Sequence, residues 1–311
     1  MTFPKILLHL ALFIATLFTT TVAGVAWLNI DPFDLANLHH GLPYSLSLLF
    51  ILTCHEFGHY FAARYHGVDA SLPFYIPFPP YLNPFGTMGA VIRTRSYIAN
   101  RSVLFDIGAY GPIAGFVATL IVLIYGFTHL PPKEFILSIH PEYFTRPSDG
   151  AALTFGSSLL YEFLGLILPN GASDFIPPMS EMYHYPFLCA GWFGLFVTAL
   201  NMIPIGQSDG GHISYAMFGK RSQAITFTAL VFFTVIGTLP LLNEIGFEIN
   251  FGSPSWLLWP LIMFVLNRGK LSHPEIEDLT PIDRRRMMIG FFTLFIFIVS
   301  FMPTPLSEIM N

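Results

Sequence analysis

The chain has 311 residues, of which 53% are hydrophobic and only 11% charged, against roughly 25% charged in an ordinary soluble protein. A net charge of −5 with no basic block argues against a nucleic-acid partner, and two cysteines in apolar runs, Cys54 and Cys189, argue against a disulfide framework. These values point to an all-α polytopic membrane protein built as one compact bundle, with the lipid bilayer as its first partner.

A membrane-crossing helix needs about 20 mostly apolar residues. The first such run covers about 6–28. Lys5 ahead of an apolar core also fits a cleaved signal peptide, but the run continues through Val25 and Trp27, long for a signal core, and is read as a retained helix. The loop 29–42 carries Asp31, Asp34 and His39-His40, which read as a solvated loop.

The second run, about 43–65, contains His55-Glu56-Phe57-Gly58-His59. Ionisable groups are costly inside a span and usually mark function. On a helix, positions i and i+4 share a face about 6 Å apart along the axis, so both imidazoles can ligate one Zn²⁺. Glu56, beside the first ligand, can reach a water on that metal as general base and pass the proton to a leaving amine.

Residues 71–96, SLPFYIPFPPYLNPFGTMGAVIRTRS, hold five prolines and cannot form one continuous helix. The tail suits a strand, so a small membrane-associated β hairpin is expected. Gly86 and Gly89 are its candidate substrate-binding positions, the strand pairing with an unwound substrate. A loop that only anchors the chain in the interface fits equally.

The third run, about 103–127, contains Asp106, a partner either for Arg101 or for a ligand histidine, and the stretch GPIAGF at 111–116. The long loop 128–185 includes an apolar stretch from Ala151, bracketed by Asp149-Gly150 and Pro169-Asn170-Gly171. It reads as a short interfacial or re-entrant helix, because another crossing would invert the charge pattern that follows.

The fourth run, about 186–204, closes on NMIPIGQSDGGHI, 201–213. A catalytic zinc needs a third protein ligand, and Asp209 emerges at the same end of the bundle as His59. His212 is a rival. Gly210-Gly211 are expected to let the backbone approach the metal. Asn201, one turn before Pro204, either meets a substrate carbonyl or caps its own helix.

Three more runs lie at about 222–243, 253–267 and 286–303, giving seven crossings. Alternate loops then carry 12 and 2 of the 14 basic residues, which places the N-terminus in the cytoplasm and the C-terminus outside. The loop 128–185 is extracytoplasmic, 268–286 is cytoplasmic, and Arg284-Arg285-Arg286 reads as an interfacial anchor. His9, His66, His129, His140, His184 and His273 show no ligand spacing with a partner.

HEFGH within one apolar helix, together with N-x-x-P-x-x-x-x-D-G at 201–210, resembles the site-2 protease family of intramembrane zinc metalloproteases. GPIAGF resembles the Gly-Pro segment of that family's intervening helix. HPEIEDLTPIDRRRMMIGFF, from His273, resembles a C-terminal segment of its bacterial and plastid-like branch. The resemblance spans about 43–290. It implies a single intramembrane protease domain, core about 43–243; many of the family carry a PDZ domain, for which this chain offers no segment long enough. It further implies His55, His59 and Asp209 as zinc ligands, Glu56 as the catalytic carboxylate, and Asn201 as a contact to the substrate backbone or tetrahedral intermediate. The implied substrate is a membrane-spanning protein cut near its cytoplasmic end, in the plasma or inner membrane. A metal-binding scaffold or chaperone that cuts nothing is one rival. A metal transporter is the other, although no internal repeat of the transporter kind is visible.

Overall fold

The computed structural model describes residues 3–96, 98, 100–141, 143, 152–168, 175–266, 269–278 and 280–309. Every predicted apolar run is helical. They form α1 (Phe3–Trp27), α2 (Leu38–Tyr65), α3 (Arg101–Thr128), α6 (Pro186–Asn201), α8 (Ser222–Thr238), α9 (Ser255–Leu266) and α10 (Arg284–Ser300). Among the described residues, short helices α4 (Glu134–Ile139), α5 (Leu159–Ile167) and α7 (Asp209–Phe218) accompany them. Among the described residues, three helical stretches are long and apolar enough to cross a membrane: Lys5–Trp27, Arg101–Thr128 and Asp209–Ile245. The last combines α7, α8 and the 3₁₀ turns beside them.

α3 is the central helix, packed on α2, α6, α7 and α10. Its buried face of Phe105, Phe116, Leu123 and Phe127 joins Leu188 and Trp192 of α6 in the main core. α1 leans on α2 through small residues: a Cβ on Gly24 would lie 2.6 Å from the carbonyl oxygen of Gly41, the close backbone approach on which helix pairs in lipid depend. Thr20 and Ser45 share a hydroxyl hydrogen bond of 2.6 Å across the same seam. The outer faces are greasy: Leu7, Ile14 and Phe18 on α1, Phe227 and Val231 on α8, and Phe291, Phe295 and Ile298 on α10 are all exposed. A continuous apolar exterior of this kind suits lipid rather than water.

The expected hairpin is present. β1 (Phe74–Pro77) pairs antiparallel with β2 (Thr87–Val91), in the register Phe74 with Val91, Tyr75 with Ala90 and Pro77 with Thr87. The register slips between Tyr75 and Pro77, and Gly89 takes φ +95° within that bulge.

A second sheet was not expected from the sequence. β3 (Ala152–Phe155) pairs antiparallel with β4 (Leu306–Ile309), which ties the long loop to the end of the chain. The expected short helix follows as α5. The bracketing turns Asp149-Gly150 and Pro169-Asn170-Gly171 lie outside the described residues.

Candidate metal centre

α2 carries His55, Glu56 and His59 about two-thirds of the way along its length, all three buried. The Nε2 atoms of His55 and His59 lie 3.0 Å apart, and Oδ2 of Asp209 lies 3.4 Å from each. Asp209 is delivered by the first turn of α7, which Ser208 caps: its Oγ accepts from the Gly211 amide at 3.0 Å.

The tautomer of His59 is set by its surroundings. Its Nδ1–H donates to the Ile107 carbonyl of α3 at 2.6 Å, which leaves Nε2 as a lone pair aimed at the triangle. The His59 lone pair and the Asp209 carboxylate oxygen at this distance need a cation or a shared proton between them. A tetrahedral ion with ligand bonds of about 2.0–2.1 Å has donor–donor edges of about 3.3–3.4 Å. The observed edges of 3.0, 3.4 and 3.4 Å match such an ion, and a His₂-carboxylate set suits zinc.

α3 makes room for the ligands with glycines. A Cβ on Gly111 would lie 2.1 Å from His59 Nε2, and one on Gly115 would lie 3.0 Å from His55 Cβ and Nδ1. The two glycines are four apart, as the histidines are, so they form the floor under both imidazoles. This gives GPIAGF a steric role that the sequence alone did not reveal. A glycine pair spaced to match the histidine pair was its only advance signal.

The cleft over the triangle measures about 490 Å³. Its walls include His55, Glu56, His59, Asn201, Asp209 and the strand end Ala90–Ile92. The Ile92 amide lies beside the Glu56 carboxylate. Asn201, the last residue of α6, places Nδ2 3.2 Å from His55 Nε2, so its amide is directed at the metal triangle. Gly86 and Gly89 are absent from the cleft lining, which meets the hairpin further along β2.

Several sequence expectations need correction. Gly210 and Gly211 serve chain packing rather than metal approach: a Cβ on either would lie 2.0 Å from the Met202 oxygen or 2.3 Å from the Gly206 oxygen. Asp106 takes neither expected partner. It accepts from His66 Nε2 at 2.7 Å and from Arg286 Nε and Nη2 at 2.9 and 2.7 Å. Arg286 therefore joins α10 to α3 instead of only marking an interface. His212 lines the cleft but turns its Nδ1 to His273 Nε2, 2.9 Å away. His140 and His184 meet at Glu181.

Residues 43–242 match the family model of Peptidase family M50. Three relatives from Arabidopsis thaliana are similar over most of the chain. "Probable zinc metalloprotease EGY2, chloroplastic" is 28% identical, covering 94% of this chain and 47% of its own length. "Probable zinc metalloprotease EGY1, chloroplastic" is 28% identical, covering 88% and 46%. "Probable zinc metallopeptidase EGY3, chloroplastic" is 28% identical, covering 75% and 39%. The chain thus spans about half the length of these relatives or less, and no solved structure matches it. The matched region holds both halves of the metal triangle, and the chain belongs to peptidase family M50, the site-2 protease family.

Proposed function

We propose that this chain is a zinc endopeptidase that crosses the membrane seven times and hydrolyses a peptide bond in a membrane-embedded protein near its cytoplasmic side. One observation carries the reading: two imidazole nitrogens and a carboxylate oxygen converge within 3.4 Å of one another, with Glu56 beside them in a cleft walled by a strand.

The two ends of the bundle support the orientation. At the end nearer the triangle, Asn100 bridges to Asp278 and Lys220 pairs with Glu275 at 2.9 Å. This gathers three of the loops that are rich in Lys and Arg. At the other end β3 joins β4, and the Trp27 and Phe155 rings lie 5.8 Å apart. The positive-inside pattern favours the cytoplasm for the first end.

Bound zinc would polarise the scissile carbonyl and lower the pKa of the attacking water. The chain's own groups do the rest. The Glu56 carboxylate takes the proton from that water and returns it to the leaving nitrogen. Asn201 Nδ2 donates to the carbonyl oxygen as negative charge develops on it. The Ala90–Ile92 edge hydrogen-bonds a substrate segment drawn out of its helix, replacing the backbone bonds that lipid cannot supply. The main-chain polarity of β2 and the buried Glu56 keep the cleft polar within an apolar bundle.

The test measures zinc content and cleavage of a transmembrane model peptide by the purified chain and by Glu56→Gln. The wild type should cut and hold zinc, and Glu56→Gln should hold zinc and fail to cut. Chelation should abolish cutting and added Zn²⁺ restore it. A wild type that holds zinc yet never cuts transmembrane peptides would support the scaffold or transporter reading instead.

A further inference from the structure

The other end of the bundle holds a second convergence of ligand groups. His140 ends α4, Glu181 and His184 lie in the turn that leads into α6, and all three donor atoms fall within 4.8 Å of one another. His140 Nδ1 is 3.0 Å and His184 Nε2 3.5 Å from the same oxygen, Oε2 of Glu181. Both Glu181 and His184 are buried.

The tautomer of His184 decides what this cluster can hold. Its Nδ1 lies 2.5 Å from the Trp27 carbonyl at the end of α1. A carbonyl only accepts, so Nδ1 carries the proton and Nε2 presents a lone pair. That Nε2 is fully buried and has no hydrogen-bond partner among the described residues. It faces a carboxylate oxygen, and these two acceptors need a bound cation or a shared proton between them. The two edges at Glu181, 3.0 and 3.5 Å, bracket the roughly 3.3 Å expected around a tetrahedral ion, and the third lies within 4.8 Å.

We propose that His140, Glu181 and His184 form a second divalent-metal site, suited to Zn²⁺, with its remaining position open to water. It lies at the opposite end of α6 from Asn201, about 24 Å away over 16 residues. It is therefore separate from the His55–His59–Asp209 triangle. The ion fastens the end of α4 and the turn before α6 over the end of α1. Nothing in this proposal depends on peptidase activity.

The test loads the metal-free full-length chain with Zn²⁺, removes unbound ion, and counts bound zinc for wild type, His140→Ala and Glu181→Gln. His140 is the most exposed of the three, so its variant disturbs the fold least; Glu181→Gln preserves side-chain shape. The expected result is two equivalents in the wild type and one in each variant, while His55→Ala loses the other equivalent. A monodisperse wild type whose zinc content falls in neither variant overturns the site. In that case the cluster is a proton-shared His–Glu–His group.

Discussion

Gly111 of α3 stands directly against His59 of α2: the Cβ it lacks would lie 2.1 Å from Nε2 of that histidine. Gly115 relates to His55 in the same way but with more space, at 3.0 Å. Gly111→Ala should therefore push the His59 ring off the metal triangle, since its Nδ1 is already held by Ile107. Zinc affinity should fall by about 100-fold, the upper range for disturbing a ligand's support, and by about 10-fold for Gly115→Ala. Zinc titration of both variants measures the ratio. Equal affinities would show that the helices simply move apart.

The buried pair of Asp106 with Arg286 should be worth more to stability than to catalysis. Asp106 accepts from both Arg286 and His66, and it is 6% exposed. Removing one partner of a buried pair costs about 3–5 kcal/mol because the other charge is stranded. The Arg286 side chain is 27% exposed, so about 2–3 kcal/mol is expected for Asp106→Ala after that discount. Replacing both, as Asp106→Leu with Arg286→Met, should recover most of the loss. Thermal unfolding in detergent reads the double variant against its two single ones, Asp106→Leu and Arg286→Met, and strictly additive losses would contradict a direct pair.

Asn201 offers the sharpest separation of binding from turnover. Its Nδ2 lies 3.2 Å from His55 Nε2, and that NH₂ group is a hydrogen-bond donor rather than a metal ligand. Asn201→Ala should keep full zinc content while turnover falls by roughly 10²–10³-fold, the cost of losing one donor to a developing oxyanion. KM should change little. Parallel loss of zinc would instead assign Asn201 to holding His55 in place.

How much of this was legible in the sequence depended on the range of the interaction. His55, Glu56 and His59 lie within one helical turn, so helical periodicity alone puts the two ligands on one face. Asp209 could be read as their partner because alternating basic loops set its depth before any contact was known. The Asp106–Arg286 pair spans 180 residues and leaves no local pattern. β3 and β4 are four residues each and pair across some 150 positions, too short for alternation to stand out. α7 was hidden because Gly210-Gly211 are poor helix formers; its helix is set by the Ser208 cap and by packing on α3. The His140–Glu181–His184 cluster is likewise formed by the fold, His140 and Glu181 lying 41 residues apart.

The hairpin glycines should behave differently from each other. A Cβ on Gly86 would lie 2.5 Å from the Thr19 carbonyl oxygen of α1, at φ +75°. Gly86→Val should thus wedge the hairpin off α1, lowering zinc content, stability and cleavage together. Gly89 has open space around it, but its φ of +95° is strained for any side chain. Gly89→Val should shift the bulge and with it the Ala90–Ile92 edge at the cleft. Zinc content should then stay near wild type while cleavage of a helical transmembrane peptide falls at least 10-fold, and a short unstructured peptide should be cut nearly as before. This contrast is the signature of a strand that binds unwound substrate. A purely anchoring hairpin would instead leave both substrates equally affected by Gly89→Val.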